Sequence, residues 1–170
     1  MKERCAFEQG VCKWILVVFY SRDGTTRKVA TAISEVLKYD MEEVIDKKKR
    51  TGFFGYMRAG FDARFRKLTT IEEPKKKLDS YELIIVGTPI WAGNMTPAIR
   101  TYLTKHKDQS KNAAFFCTAG GGSNGNAFAE MQDLCSKKPI ATLEIKTDEV
   151  SQGKHVDKIE KFIQEITNAI

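Results

Sequence analysis

The chain alternates between short, uniformly apolar runs and longer stretches in which apolar residues recur every three or four positions. Residues 14–20 (WILVVFY) contain no charged or amide side chain, which predicts a strand buried on both faces. Residues 81–87 and 113–118 predict two more strongly buried strands, 41–45 a weaker one, and 140–145 a last one. Between them, Val29, Ala32, Ile33, Val36 and Leu37 fall at helical spacing and predict a helix over residues 25–37. Further helices are predicted over 96–103, 126–135 and 156–166.

Strand and helix alternate five times, which implies right-handed βαβ units and an α/β fold with a parallel sheet covered on both faces. In such open sheets ligands sit beyond the carboxyl ends of the strands, where the strand order reverses. Three loops leave those ends, over residues 21–26, 88–94 and 118–125, and all are rich in small and hydroxylated residues. No repeat or low-complexity tract interrupts the pattern. Residues 1–13 read as an N-terminal extension and 14–170 as one domain.

Composition narrows the class. Of 170 residues, 42% are hydrophobic and 29% charged, as expected for a soluble globular protein with a real core. Cys5, Cys12, Cys117 and Cys135 form no C-x-x-C pair and lie far from His106 and His155. That spacing argues against structural zinc and for reduced thiols in the cytoplasm. The longest apolar run is too short to span a bilayer.

Charge changes the picture more. The net charge is +6, but residues 47–77 hold eleven Lys/Arg against three Asp/Glu, so one segment carries about +8 and the remainder about −2. Within it Phe54, Met57, Phe61, Phe65 and Leu68 follow a helical spacing, with Arg58, Arg64, Arg66 and Lys67 mostly on the other faces. The pattern predicts an amphipathic crossover helix packed on the sheet, with a solvated basic face. Docking of an acidic redox partner by electrostatic steering, or peripheral contact with an anionic membrane surface, are the sharper readings. Nucleic-acid binding is disfavoured, because no recognition motif accompanies the charge.

The first loop, Ser21-Arg22-Asp23-Gly24-Thr25-Thr26, runs from a buried strand straight into a helix. A helix start presents unpaired N–H groups and partial positive charge, and Gly24 permits a tight turn around an anion. The same residues could simply cap the helix, and on their own they support both readings equally. With Thr88-Pro89-Ile90-Trp91-Ala92-Gly93-Asn94 and Thr118-Ala119-Gly120-Gly121-Gly122, however, the chain from Ile15 onward resembles the flavodoxin family.

That resemblance implies a three-layer sandwich with a five-stranded parallel sheet of order 2-1-3-4-5, and FMN as cofactor. It implies that Ser21, Arg22, Asp23, Gly24, Thr25 and Thr26 surround the phosphate. Thr88, Pro89, Ile90, Trp91, Ala92, Gly93 and Asn94 would flank the flavin ring, and Thr118, Ala119, Gly120 and Gly121 would close its other edge. Trp91 suits ring stacking, and Asp23 reads as a helix cap beside the phosphate. Neither catalytic side chains nor a metal site are expected. The function implied is electron transfer between redox partners. The alternative is an FMN-dependent oxidoreductase, either an NAD(P)H:quinone or flavin reductase or a flavodoxin-type protoporphyrinogen oxidase. It gains from the absence of a tyrosine after Thr118, which leaves that side of the ring open to substrate.

Overall fold

The uniformly apolar runs become the interior strands of a parallel sheet. A computed structural model describes residues 15–37, 39–107, 109, 111–121 and 125–170. Strands β1 (Ile15–Phe19), β3 (Leu83–Pro89) and β4 (Asn112–Ala119) form the centre, flanked by β2 (Asp40–Glu43) and β5 (Thr142–Lys146). All pairs are parallel, and the order is β2-β1-β3-β4-β5, as the resemblance implied. Register aligns Val18 with Val86 and Val86 with Phe115, so alternate residues of three strands share each face.

Each face has its own helices. Leu16, Val18, Ile84, Val86 and Phe115 pack with Ile99 and Tyr102 of α3 (Pro97–His106) and Met131 of α4 (Ala127–Cys135). Val17, Phe19, Ile85 and Phe116 pack with Val29 and Ile33 of α1 (Thr25–Leu37) and with Ile159, Phe162 and Ile166 of α6 (Val156–Ala169). Covering each such side chain contributes about 1.5–3 kcal/mol. A short helix α5 (Thr147–Ser151), which the apolar pattern did not mark, follows β5 directly. Val36, expected on the inner face of α1, is exposed. Trp14, Gly122, Cys5 and Cys12 lie outside the described residues.

The long connection departs from expectation. It does form a helix, α2 (Gly52–Arg64), but the large apolar side chains point outward. Phe54 is 84% exposed, Phe53 73%, and Met57, Phe61, Phe65 and Leu68 are all more than half exposed. The inward side is instead built from Ala59, Asp62 and Ala63. Gly55 lies so close to the backbone of Arg50 that a β-carbon there would collide with it. Small residues at intervals of four thus seat the helix, and the bulky ones have no room beneath it.

Buried charge fixes this seat. Arg50 donates through Nε to Asp46 at 2.6 Å and through Nη1 to Asp62 at 3.0 Å, with all three side chains buried. The excursion is closed at its base by antiparallel pairing, Lys47 N–H to the Thr70 carbonyl and Glu72 N–H to that of Ile45, both at 2.9 Å. At its far end Arg66 meets Glu130 of α4 at 2.6 Å, and Glu130 also meets Arg100 of α3 at 2.6 Å.

Candidate functional site

The carboxyl ends of β1, β3 and β4 bring the three loops together. Gly24 adopts φ +86°, which a glycine accepts readily, and its carbonyl accepts the Lys28 N–H at 3.0 Å to start α1. Ser21 Oγ accepts the N–H groups of Gly24 (3.1 Å) and Arg27 (3.3 Å). Ser21 therefore does the capping expected of Asp23. The Asp23 carboxylate turns out to solvent, captured by the adjacent Arg22 guanidinium at 2.9 Å. Thr25 and Thr26 head the helix, where backbone N–H groups have no intrahelical acceptor.

Side chains expected to line one ligand pocket in part bind each other. Thr26 Oγ1 lies 2.8 Å from Thr118 Oγ1, joining the first loop to the third. Ile90 donates its N–H to the Thr118 carbonyl at 2.9 Å, joining the second to the third. Thr88 is fully buried, and its hydroxyl accepts the Thr96 N–H at 3.1 Å, which ties β3 to the start of α3. Pro97 in the first turn, and Thr96 Oγ1 accepting from Ile99, complete that start.

The second loop closes on itself. Trp91 and Asn94 exchange backbone hydrogen bonds of 2.9 and 3.0 Å around Ala92 (φ +47°) and Gly93 (φ +75°). Two consecutive positive φ values match a type I′ turn. A β-carbon at Gly125, where the third loop ends, would collide with the Gly93 carbonyl. Ala119 is buried, whereas Gly120 and Gly121 are exposed.

Trp91 is 9% exposed and sits edge-on to Tyr20, with centroids 5.6 Å apart. The Arg22 guanidinium lies 4.8 Å from the Trp91 ring centre and 4.8 Å from that of Tyr56 in α2. Arg50 approaches Trp91 at 5.8 Å. A flat heteroaromatic ring could lie on that face of Trp91 only after Arg22 swings off it. Burial, reinforced by Asp46, pushes the Tyr20 phenol up to about 12. Cys117, wholly buried within β4, is raised to about 12 by burial and then by Glu144, which disfavours the reactive thiolate.

Tyr20, Arg50 and Tyr56 are the neighbours that sequence reasoning missed. Tyr20 had a signal, as the last residue of an apolar run before Ser21. Arg50 and Tyr56 had none, because only the tertiary seat of α2 carries them to Trp91. A groove of about 300 Å³ along the β2 edge shares no residue with the three loops. Among the described residues no His, Cys, Asp or Glu group is placed to hold a metal, and no helix is long and apolar enough to cross a membrane.

The family model described as flavodoxin matches residues 14–164. The chain belongs to the flavodoxin family. Among curated proteins none matches. Solved structures share the flavodoxin fold at low identity. A flavoprotein from Lactobacillus acidophilus NCFM, solved in complex with FMN, is 23% identical at TM-score 0.67, over 83% of this chain and 98% of that one. Oxidised flavodoxin 2 from Bacillus cereus is 16% identical at TM-score 0.58, covering 92% and 99%. A WrbA-like flavodoxin from Agrobacterium tumefaciens is 14% identical at TM-score 0.52, covering 91% and 99%.

Proposed function

We propose that this flavodoxin binds FMN between its three loops and passes electrons between redox partners. The observation carrying the reading is the convergence of the loops, with Thr118 joined to both Thr26 and Ile90. The donor set suits the cofactor: the N–H groups of Thr25 and Thr26, at the start of α1, offer positive potential to a phosphate. Bound FMN supplies the redox chemistry itself. The protein's part is to grip the phosphate, present Trp91 and the 91–94 turn to the ring, and shield it from water. Free, buried Cys117 and Cys135 accord with a reducing cytoplasmic setting.

Titration of the purified chain with FMN and with riboflavin tests the reading, followed by flavin absorbance and fluorescence. FMN should bind at least tenfold more tightly than riboflavin, since only FMN engages the helix start. A chain that takes up neither refutes it. Enzymatic use of the flavin is favoured by one feature, the exposed Gly120 and Gly121 where a covering aromatic would sit. Steady-state oxidation of NAD(P)H with quinone acceptors would establish that second reading.

A further inference from the structure

We propose that the outer face of α2 docks this protein on an anionic lipid bilayer. The proposal stands apart from the flavin reading, because it uses side chains that do not line the loops. At 100° per residue, Phe53, Met57, Phe61 and Phe54 fall within about 100° of arc, on the side away from Ala59 and Ala63. Phe61 and Phe65 extend the strip at a ring separation of 4.3 Å, and exposed Leu68 continues it. Monomeric proteins rarely leave so many contiguous large apolar groups in water without a use for them.

The charge around this strip has one sign. Lys47, Lys48, Lys49, Arg58, Arg64 and Lys67, in the helix and its flanking segments, are all exposed, and Lys67 lies 4.7 Å from the centre of the Phe61 ring. From residue 47 to 71 the one carboxylate is Asp62, which is buried and neutralised by Arg50. A second copy of this chain would bring an equally basic face against it, so self-association there is opposed. An acidic protein could satisfy the charge, but it would also need a surface shaped to receive the protruding rings. The apolar side chains project from the outer side of the helix, with Phe54 84% exposed. A fluid, uniformly anionic interface accepts such a surface without a matching groove. At 13 residues the helix is about 20 Å long and lies in the interface rather than crossing it.

Co-sedimentation of the full chain with phosphatidylcholine vesicles, with and without phosphatidylglycerol, tests the proposal. Binding should require phosphatidylglycerol and weaken about tenfold or more between low and high salt. The double variant Phe53→Ser/Phe54→Ser should lose binding about tenfold or more while keeping its urea midpoint, since both rings are mostly exposed. Lys48→Glu/Lys49→Glu should lose it as well. Failure to bind phosphatidylglycerol vesicles would overturn the proposal, as would binding unchanged by the serine variant. So would gel filtration revealing a dimer that the serine variant dissolves. FMN uptake reads independently of all these outcomes.

Discussion

The three loops and the α2 lobe meet at Arg22, between Trp91 and Tyr56, yet they dispose of their side chains in opposite ways. In the loops, hydroxyls are turned inward: Thr26 to Thr118, Thr88 to Thr96, Ser21 to the start of α1. In the lobe, phenylalanines are turned outward and an arginine with two aspartates is turned inward. Inside a protein, a polar group is accepted when its hydrogen bonds are met, and an apolar one only where there is room. Gly55, Ala59 and Ala63 leave α2 no room.

The sharpest way to break this contrast is Arg50→Ala. It strands Asp46 and Asp62 in the interior and should cost about 3–5 kcal/mol in urea unfolding. Phe54→Ser, by comparison, should stay within about 0.5 kcal/mol, as an exposed substitution does. Comparable losses from the two would mean that α2 is held by its apolar strip after all.

On the loop side, Gly87→Ala pushes a methyl group into the Phe116 ring and should destabilise by about 1–3 kcal/mol by the same measurement. Thr26→Val removes the bond to Thr118 and should cost about 1 kcal/mol. If Thr26→Val leaves stability untouched, the first and third loops are not tied in solution.

Alkaline titration probes the strand ends that carry the loops. Cys117 and Tyr20 both have folded values raised to about 12, above the ordinary thiol and phenol ranges. Their neutral forms stabilise the native state fully below pH 9, and that contribution is lost as pH rises from 9 towards 12. Chemical denaturation across that range should show a falling midpoint, and Cys117→Ala should flatten its early part. The smallest effect is expected at Ala92, held at φ +47° in the turn. Ala92→Asn suits that conformation better and should stabilise by about 0.5 kcal/mol, read as a rise in Tm.

Much of the scaffold was legible in the sequence, because 15–19, 83–87 and 113–118 are apolar at every or nearly every position and could only be interior strands. The loops were legible as a set, since hydroxyls and glycines follow each strand end. Individual roles were less so. Asp23 and Ser21 are both competent caps, and only Arg22's capture of the carboxylate decides between them. The orientation of α2 was misread because its large residues carry the more visible periodicity, while Gly55, Ala59 and Ala63 repeat just as regularly with smaller side chains. What selects the smaller set is the Arg50–Asp62 pair beneath the helix, a contact between residues twelve apart that no local period reveals.

The contact between Gly125 and the Gly93 carbonyl bears on how the protein could be rebuilt. It makes residue 125 the fixed post of the third loop, whatever sequence precedes it. A designer wishing to place an aromatic cover there has room at Gly120 and Gly121, where an added β-carbon would meet nothing within 4 Å, and none at residue 125. An insertion that moved a side-chain-bearing residue to 125 would shift the 91–94 turn as well, so two of the three loops must be engineered as one part.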